Sequence, residues 1–218
     1  GKRVSPVVHR YFALNKPIGY TCTTTDPHAE KRALDLLPSS LGRLFTVGRL
    51  DRNSHGLLLI TNDGDFAERL THPRYGVEKE YVATIIPPFR QEDAARITAG
   101  IEDAGEMLIV RSVREKHTYQ GKSVLSLIMK EGKKREIRRI FSALRYHLLD
   151  LERVRIGTLT ITGIPLGGYR TLTRNEVENL LAASSPTPNP MHYPAYSLTA
   201  HNQDKRQKHG YTSQHKHK

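Results

Sequence analysis

The stretch that most constrains the fold is residues 48–64, Gly-Arg-Leu-Asp-Arg-Asn-Ser-His-Gly-Leu-Leu-Leu-Ile-Thr-Asn-Asp-Gly. The apolar run that ends at Thr61 predicts a strand, and the turn residues Asn53, Ser54 and Gly56 predict a loop before it. A sheet fixes the position of such a loop while the loop exposes its side chains. Asp51 on this loop is therefore the first candidate for chemistry, although an aspartate in a turn is usually a hydrogen-bonding turn residue.

The rest of the sequence predicts a mixed α+β fold with a largely antiparallel sheet. Strands outnumber helices, the helices fall between them irregularly, and no fixed-period repeat is present. The predicted strands cover residues 11–15, 44–47, 57–61, 77–86, 107–113, 123–130, 148–156 and 158–162. The predicted helices cover residues 31–37, 65–70, 91–99, 135–146 and 173–183, and Thr173 with Glu176 forms a capping box at the start of the last one.

The charge balance favours a polyanionic partner. Lysine and arginine number 34 against 22 acidic residues, which gives a formal net charge of +12. Residues 184–218 contribute +4 of this, so the body of the chain keeps +8. Such an excess suits nucleic acid.

The single cysteine, Cys22, excludes an internal disulfide and a multi-cysteine zinc site, and it fits a reducing compartment. No apolar run is long enough to span a bilayer, and the first residues lack the apolar core of a secretory signal. We therefore expect no membrane partner.

Composition divides the chain into three segments. We expect residues 1–10 to be a linker or the remnant of an earlier domain, residues 11–183 to be one folded domain, and residues 184–218 to be a disordered basic tail. The tail holds five histidines. We interpret them as solvated cationic residues and not as a metal site, because no scaffold fixes their geometry.

Two further strings hold candidate residues. Five basic residues crowd into positions 133–139 at the predicted start of a helix, where positive charge is unfavourable. The basic cluster therefore indicates either a solvated face or a phosphate or carboxylate partner. Lys79 and Tyr81 share one face of their predicted strand. Such a pair can hold a phosphate and stack on a base, but a strand tyrosine can equally be a packing residue.

Five strings in this order resemble the RsuA/RluB-type ribosomal RNA pseudouridine synthases, over about residues 11–182. They are Lys16-Pro-x-Gly19, Gly48-Arg-Leu-Asp51 with its apolar continuation, Lys79-x-Tyr81, Glu131-Gly-x-x-Arg-x-Ile-Arg-Arg139, and Arg155-Ile-Gly157 through Pro165-x-Gly-x-Tyr-Arg170. The resemblance implies a pseudouridine synthase fold, with a mixed, mostly antiparallel sheet flanked by helices and an active-site cleft across the sheet. It also implies an isomerase that needs no metal or other cofactor and acts on ribosomal RNA, naked or in an assembling subunit. We expect a monomer in the bacterial cytoplasm, with an organelle left open.

The resemblance also implies a role for each site residue. Asp51 matches the catalytic nucleophile, Arg138 the arginine that pairs with it, and Tyr81 the residue that packs against the target base and assists proton transfer. Arg49 matches the residue that fills the space left by the flipped nucleotide. Ile156 and Leu159 are expected to wall the pocket. The candidates for contacts with RNA are Lys16, Arg49, Lys79, Lys133, Arg135 and Arg139.

Two other functions are considered beside the synthase. One is a non-catalytic RNA-binding or ribosome-assembly factor on the same fold. The other is a carboxylate-based glycosidase, which needs a second catalytic carboxylate.

Members of the family commonly carry a small RNA-binding domain before the catalytic part, whereas the match here begins within about ten residues of the first residue of the chain. We hypothesise that the basic tail compensates, and unchanged RNA affinity after removal of residues 184–218 would contradict this.

Overall fold

The computed structural model describes residues 8–23 and 30–184. Within these ranges the chain forms a nine-stranded sheet, a separate two-stranded hairpin and four α-helices, which confirms the mixed α+β class. The strands are β1 (Tyr11–Lys16), β2 (Phe45–Val47), β3 (His55–Thr61), β4 (Lys79–Ile86), β5 (Ile101–Asp103), β6 (Glu106–Leu108), β7 (Ser112–Tyr119), β8 (Lys122–Met129), β9 (His147–Ile156), β10 (Leu159–Thr160) and β11 (Tyr169–Thr171). The helices are α1 (Gly64–Thr71), α2 (Gln91–Ala99), α3 (Glu136–Ala143) and α4 (Arg174–Ala183).

The large sheet runs in the order β11-β1-β3-β9-β4-β8-β7, with β2 beside β3 and β10 beside β9. All of its pairings are antiparallel except β3 with β9. Strands β5 and β6 form the separate hairpin. The sheet therefore consists of two antiparallel halves that meet at one parallel pairing.

The apolar run of β3 is buried on both of its faces. Leu57 and Leu59 pack in one cluster with side chains of α1 and α4, while Leu58 and Ile60 pack in another with the 3-10 helix Ala33–Leu36. A strand covered on both faces needs apolar residues at successive positions, not at alternate ones. This explains the uninterrupted aliphatic sequence ahead of Thr61. The other half of the sheet packs on α2 and α3 in a cluster of its own.

Most predicted elements are present, and several bounds differ. The predicted strand 107–113 is wrong as one element, because the chain leaves β6 after Leu108 and joins the large sheet as β7 at Ser112. The predicted helix 31–37 is a single 3-10 turn. Helix α3 is shorter than its predicted range of 135–146, because Arg145 adopts a left-handed φ of 64°. The capping box of Thr173 and Glu176 at the start of α4 is confirmed.

The predicted linker at 1–10 and basic tail at 184–218 lie almost wholly outside the described residues. Of the helices that the structure describes, none has the length and apolarity to cross a bilayer.

The two halves of the sheet meet through only two residue pairs, His55 with Glu152 and Gly56 with Arg153. We call this the β3–β9 junction. Gly56 has a φ of +105°, and a Cβ atom there would lie 2.4 Å from the carbonyl oxygen of Arg153. Only glycine lets the two strands approach this closely without strain.

We expect Gly56→Ala to lower the free energy of unfolding by about 2–5 kcal/mol, through left-handed strain and the clash with Arg153. Gly64→Ala is the matched control, because a Cβ at Gly64, in the first turn of α1, meets nothing within 4 Å. Urea unfolding measures both variants. Equal stability of the two variants would contradict a steric requirement for glycine at the junction.

Candidate active site

The loop of residues 48–54, called here the Asp51 loop, joins β2 to β3. Hydrogen bonds of its main chain hold it in place. The Arg52 carbonyl accepts a hydrogen bond of 2.7 Å from the Gly19 N–H, and the Leu50 N–H donates to the Cys22 sulfur at 3.3 Å. Ser54 N–H closes a turn onto the Asp51 carbonyl at 3.1 Å. The buried Leu50 side chain anchors the loop to the core. Asp51 is therefore held in place while 30% of its side chain stays exposed.

Helix α3 brings arginines to this carboxylate. Arg138 Nε lies 3.4 Å from Asp51 Oδ2, and Arg135 Nη1 lies 4.0 Å from the same oxygen. Arg138 also donates from Nη2 to the Asn53 carbonyl at 2.7 Å and to Ser54 Oγ at 3.0 Å. Its Nε is buried and makes no hydrogen bond, so its contact with Asp51 is purely ionic. One arginine thus fixes the loop and places positive charge beside its carboxylate.

Asp51, Tyr81 and Arg138 line the same pocket, which has a volume of about 90 Å³. The structure therefore brings together the three residues predicted to be catalytic. Asp51 also lines a second groove of about 490 Å³, with Thr21 and Arg52. Larger grooves of about 600 Å³ lie elsewhere, for example beside Arg10 and Leu41, and do not include these three residues.

Three carboxylates line this pocket, and they differ in their partners. The side chain of Glu136 is buried, and its oxygens accept hydrogen bonds from the main-chain N–H groups of Ile109 and Lys133. Its role is therefore to satisfy main-chain donors. Glu131 is exposed and lies 3.8 Å from Lys133 Nζ. Asp51 lies within 4.0 Å of two arginines, Arg138 in α3 and Arg135 just before it. Of the three carboxylates, Asp51 is thus the partly exposed one that pairs with two guanidinium groups.

The prediction that Ile156 and Leu159 wall the pocket is wrong. Both side chains are buried in the core cluster between the sheet and helices α1 and α4. Alternation along a strand predicts that a residue is buried, but it does not say which cavity the side chain faces. The apolar wall of the pocket consists of Leu50, Met129, Ile137 and Leu151.

The prediction that Lys16 contacts RNA phosphate is also wrong. Its side chain has no exposed surface, and its ammonium donates to the carbonyls of Pro17 and Tyr20 at 2.9 and 2.8 Å. Burial, together with the charge of Arg153, lowers the pKa of Lys16 to about 8. The half-buried Lys79 donates to the Val77 carbonyl at 3.3 Å, and burial with the charge of Arg153 lowers its pKa to about 8 as well.

Arg139 does not line the pocket, and its predicted contact with RNA stays a prediction. Its guanidinium pairs with Asp103 and Glu106 and ties the β5–β6 hairpin to α3. Arg49, Lys133 and Arg135 do line the pocket, and Arg49 and Arg135 are exposed at its rim. These three cations remain candidates for contacts with a polyanion.

Sequence reasoning missed Arg153, which is 3% exposed in β9. Its guanidinium reaches the Asp51 loop, β3 and the Tyr81 side chain. An arginine in an alternating strand is usually a surface residue, so no local signal distinguished it. No group of His, Cys, Asp or Glu in the described part of the chain is arranged to hold a metal ion.

The chain is similar to known proteins in sequence and in fold. The sequence profile of the family described as RNA pseudouridylate synthase matches residues 10–143, which include Asp51, Tyr81 and Arg138. The chain is 34% identical over 187 residues to the ribosomal large subunit pseudouridine synthase B of Bacillus subtilis, covering 83% of this chain and 74% of that protein.

It is also 34% identical over 174 residues to the ribosomal small subunit pseudouridine synthase A of Escherichia coli, covering 79% of this chain and 74% of that protein. A crystal structure of a pseudouridylate synthase superposes with a TM-score of 0.71 at 30% identity, over 79% of this chain and 74% of that one. The relatives thus resemble this chain in sequence and in fold across most of the described residues.

The buried lysines predict a pH dependence of stability. In the folded state the pKa values of Lys16 and Lys79 are about 8, below the ordinary value of 10.5, so the unfolded chain binds more protons between these limits. The free energy of unfolding should therefore rise from pH 8 to pH 10. In Lys16→Met we expect the increase in the free energy of unfolding to be about half that of the wild type, because one of two similar groups is removed.

Urea unfolding across this pH range measures the effect, with the exposed Lys134→Met as the control. An unchanged slope in Lys16→Met would contradict the assignment. The range stops at pH 10 because burial and the hydrogen bond to Asp63 raise the pKa of Tyr11 to about 12, which acts in the opposite direction above pH 10.

Proposed function

The chain belongs to the RNA pseudouridylate synthase family, and on that premise we propose that it isomerises a specific uridine of ribosomal RNA to pseudouridine with Asp51 as its nucleophile. It is a pseudouridine synthase and thus an isomerase. Ribosomal RNA as the substrate rests on the names of its relatives and on the net charge of +12. We further propose that it acts as a monomer in the bacterial cytoplasm.

The observation that carries the proposal is the position of Asp51 in one pocket with Tyr81 and Arg138. A carboxylate nucleophile must be ionised, and the guanidinium of Arg138 lies 3.4 Å from this one. Leu50, Ile137 and Leu151 line the same pocket and give a planar base an apolar surface. The glycosidic bond of a stacked nucleotide is inaccessible, so the target uridine must first leave its helix.

The reaction then needs no oxidant and no external reactant. A carboxylate oxygen of Asp51 bonds to C1′ as the N1–C1′ bond breaks, and the electron pair of the broken bond leaves with the base. The base turns within the pocket, and its C5 attacks C1′, which breaks the bond to Asp51 and restores the carboxylate. The proton on C5 is lost and N1 gains one, so substrate and product are isomers. Tyr81 packs against the base and is placed to assist this proton transfer.

The rim cations have a separate task in this proposal. Arg49 occupies the space that the flipped nucleotide leaves. Lys133 and Arg135 contact phosphates, which position the RNA without reading its sequence. Electrostatic contacts of this kind weaken as salt rises, because bound counterions are released.

We expect Asp51→Asn to reduce tritium release from ribosomal RNA labelled at uridine C5 by about 10³-fold or more, because the amide cannot act as the nucleophile. The exposed Asp65→Asn variant, in the first turn of α1, is the matched control and should keep wild-type activity. Activity that survives in Asp51→Asn would remove Asp51 from the mechanism. A wild-type protein inactive on every ribosomal RNA would favour a non-catalytic assembly factor.

We expect Arg135→Gln to flatten the dependence of log affinity on log salt by about 0.7–0.9, the loss of one phosphate contact. Arg174→Gln removes a charge that is 90% exposed on α4 and paired with Glu178, and it should leave the slope unchanged. Filter binding of a ribosomal RNA fragment between 50 and 200 mM salt, about the range over which such contacts weaken strongly, measures both variants. Equal slopes would show that Arg135 makes no phosphate contact.

A further inference from the structure

Arg153 spans the β3–β9 junction beside the pocket. Its Nε donates to the Leu57 carbonyl of β3 at 2.7 Å. Its Nη1 makes two longer contacts, 3.4 Å to the Arg49 carbonyl in the Asp51 loop and 3.5 Å to the Tyr81 hydroxyl on β4. The guanidinium carbon lies 6.0 Å from the centre of the Tyr81 ring. One side chain thus reaches both the loop that carries the nucleophile and the tyrosine of the pocket.

The backbone places this side chain by register. Arg153 pairs with Gly56 on one side and with Tyr81 on the other. Leu151, two residues earlier on β9, lies on the same face of the strand and lines the pocket. Tyr81 packs against the core clusters of both halves of the sheet. Arg153 therefore sits where the two halves and the pocket meet.

Among the described residues, no carboxylate pairs with the buried charge of Arg153. Its only hydrogen-bond acceptors within the described residues are two carbonyls and a hydroxyl, and its Nη2 is buried without any partner. Lys16 from β1 and Lys79 from β4 add two more cations near it. A buried charge that lacks a counterion is costly, so a fold keeps one only where another gain offsets the cost.

Asp51 is the acid whose charge acts on Lys16, so this cluster and the pocket share one electrostatic environment. From α3, Arg135 and Arg138 face the carboxylate, and Glu131, Lys133 and Glu136 line the pocket around it. The α3 arginines approach Asp51 directly, whereas the β9 arginine acts through Tyr81 and the loop main chain. The two sets of cations are therefore distinct.

We propose that Arg153 is a positioning residue of the synthase site, which fixes the Asp51 loop against Tyr81 across the β3–β9 junction and adds positive charge that favours anions in the pocket. The inference rests on the proposed function, because that function defines the two anions. They are the Asp51 carboxylate and the base that carries the electron pair when the N1–C1′ bond breaks.

Two variants separate geometry from charge. Arg153→Lys keeps the charge but cannot bridge the same acceptors, because an ammonium lacks the planar fork of a guanidinium. Arg153→Met removes both. Arg155→Met is the matched control on the same strand, since Arg155 pairs with Glu78 and Glu80 and does not line the pocket. Thermal unfolding is recorded for all three, and activities are compared at temperatures where each is folded.

In single-turnover tritium release we expect the observed rate constant to fall about 100-fold in Arg153→Met, as misplacement of reacting groups by about 1 Å can do. The loss should be smaller in Arg153→Lys, which keeps the charge and part of the side-chain reach. Equal losses in both variants, or wild-type activity in Arg153→Met, would overturn the proposal.

Hydrogen exchange supplies a measurement that does not depend on activity. We expect the amides of residues 48–54 to exchange about tenfold faster in Arg153→Met than in wild type and in Arg155→Met, because the tether to the Arg49 carbonyl is lost. Unchanged exchange would overturn the positioning role even if activity fell. If the wild type released no tritium from any ribosomal RNA, the proposed function would fail, and the exchange result would still decide the role of Arg153.

Discussion

The parallel pairing of β3 with β9 is the constraint on which the rest of this structure depends. The flanking antiparallel ladders pair six or more residues, as in β1 with β3 and β4 with β9, whereas this junction pairs two. Asp51 belongs to the half that contains β3, and Tyr81 and Arg138 belong to the other half. The site is thus assembled across the shortest contact in the centre of the sheet. Side chains reinforce that contact, including the 2.9 Å contact between His55 Nε2 and Asp150 Oδ1.

Positive charge is used in this fold in three separate ways. Arg139 forms ion pairs that hold the β5–β6 hairpin. Arg138 binds the main chain of the Asp51 loop and lies beside the Asp51 carboxylate. Lys16 and Arg153 are buried in the sheet, where they bind main-chain carbonyls. Arg49 and Arg135 remain at the rim. A count of basic residues indicates a polyanionic partner, but only the fold shows which cations are available to it.

Sequence patterns predicted the parts of the fold that local rules decide. The run ahead of Thr61 and the capping box of α4 follow from burial and capping, which act over a few residues. The meeting of Asp51 with Arg138 spans the two halves of the sheet. It was expected because of the family resemblance, not because of any spacing. Lys16, Ile156 and Leu159 were assigned from the resemblance, without knowledge of what each side chain faces. Arg153 was missed because its strand gave no local signal that it is buried.

The close approach at Gly56 affects how tolerance to mutation can be interpreted in this protein. Gly56 and Asp51 lie in one short string, but one is required by space and the other is proposed for its chemistry. A saturation library selected for modified RNA would reject substitutions at both positions and so could not tell them apart. A second selection for folded, protease-resistant protein separates them, since it tolerates changes at the partly exposed Asp51 and rejects any side chain at Gly56. In this loop, intolerance of substitution identifies a nucleophile only once its effect on folding has been separated from its effect on activity.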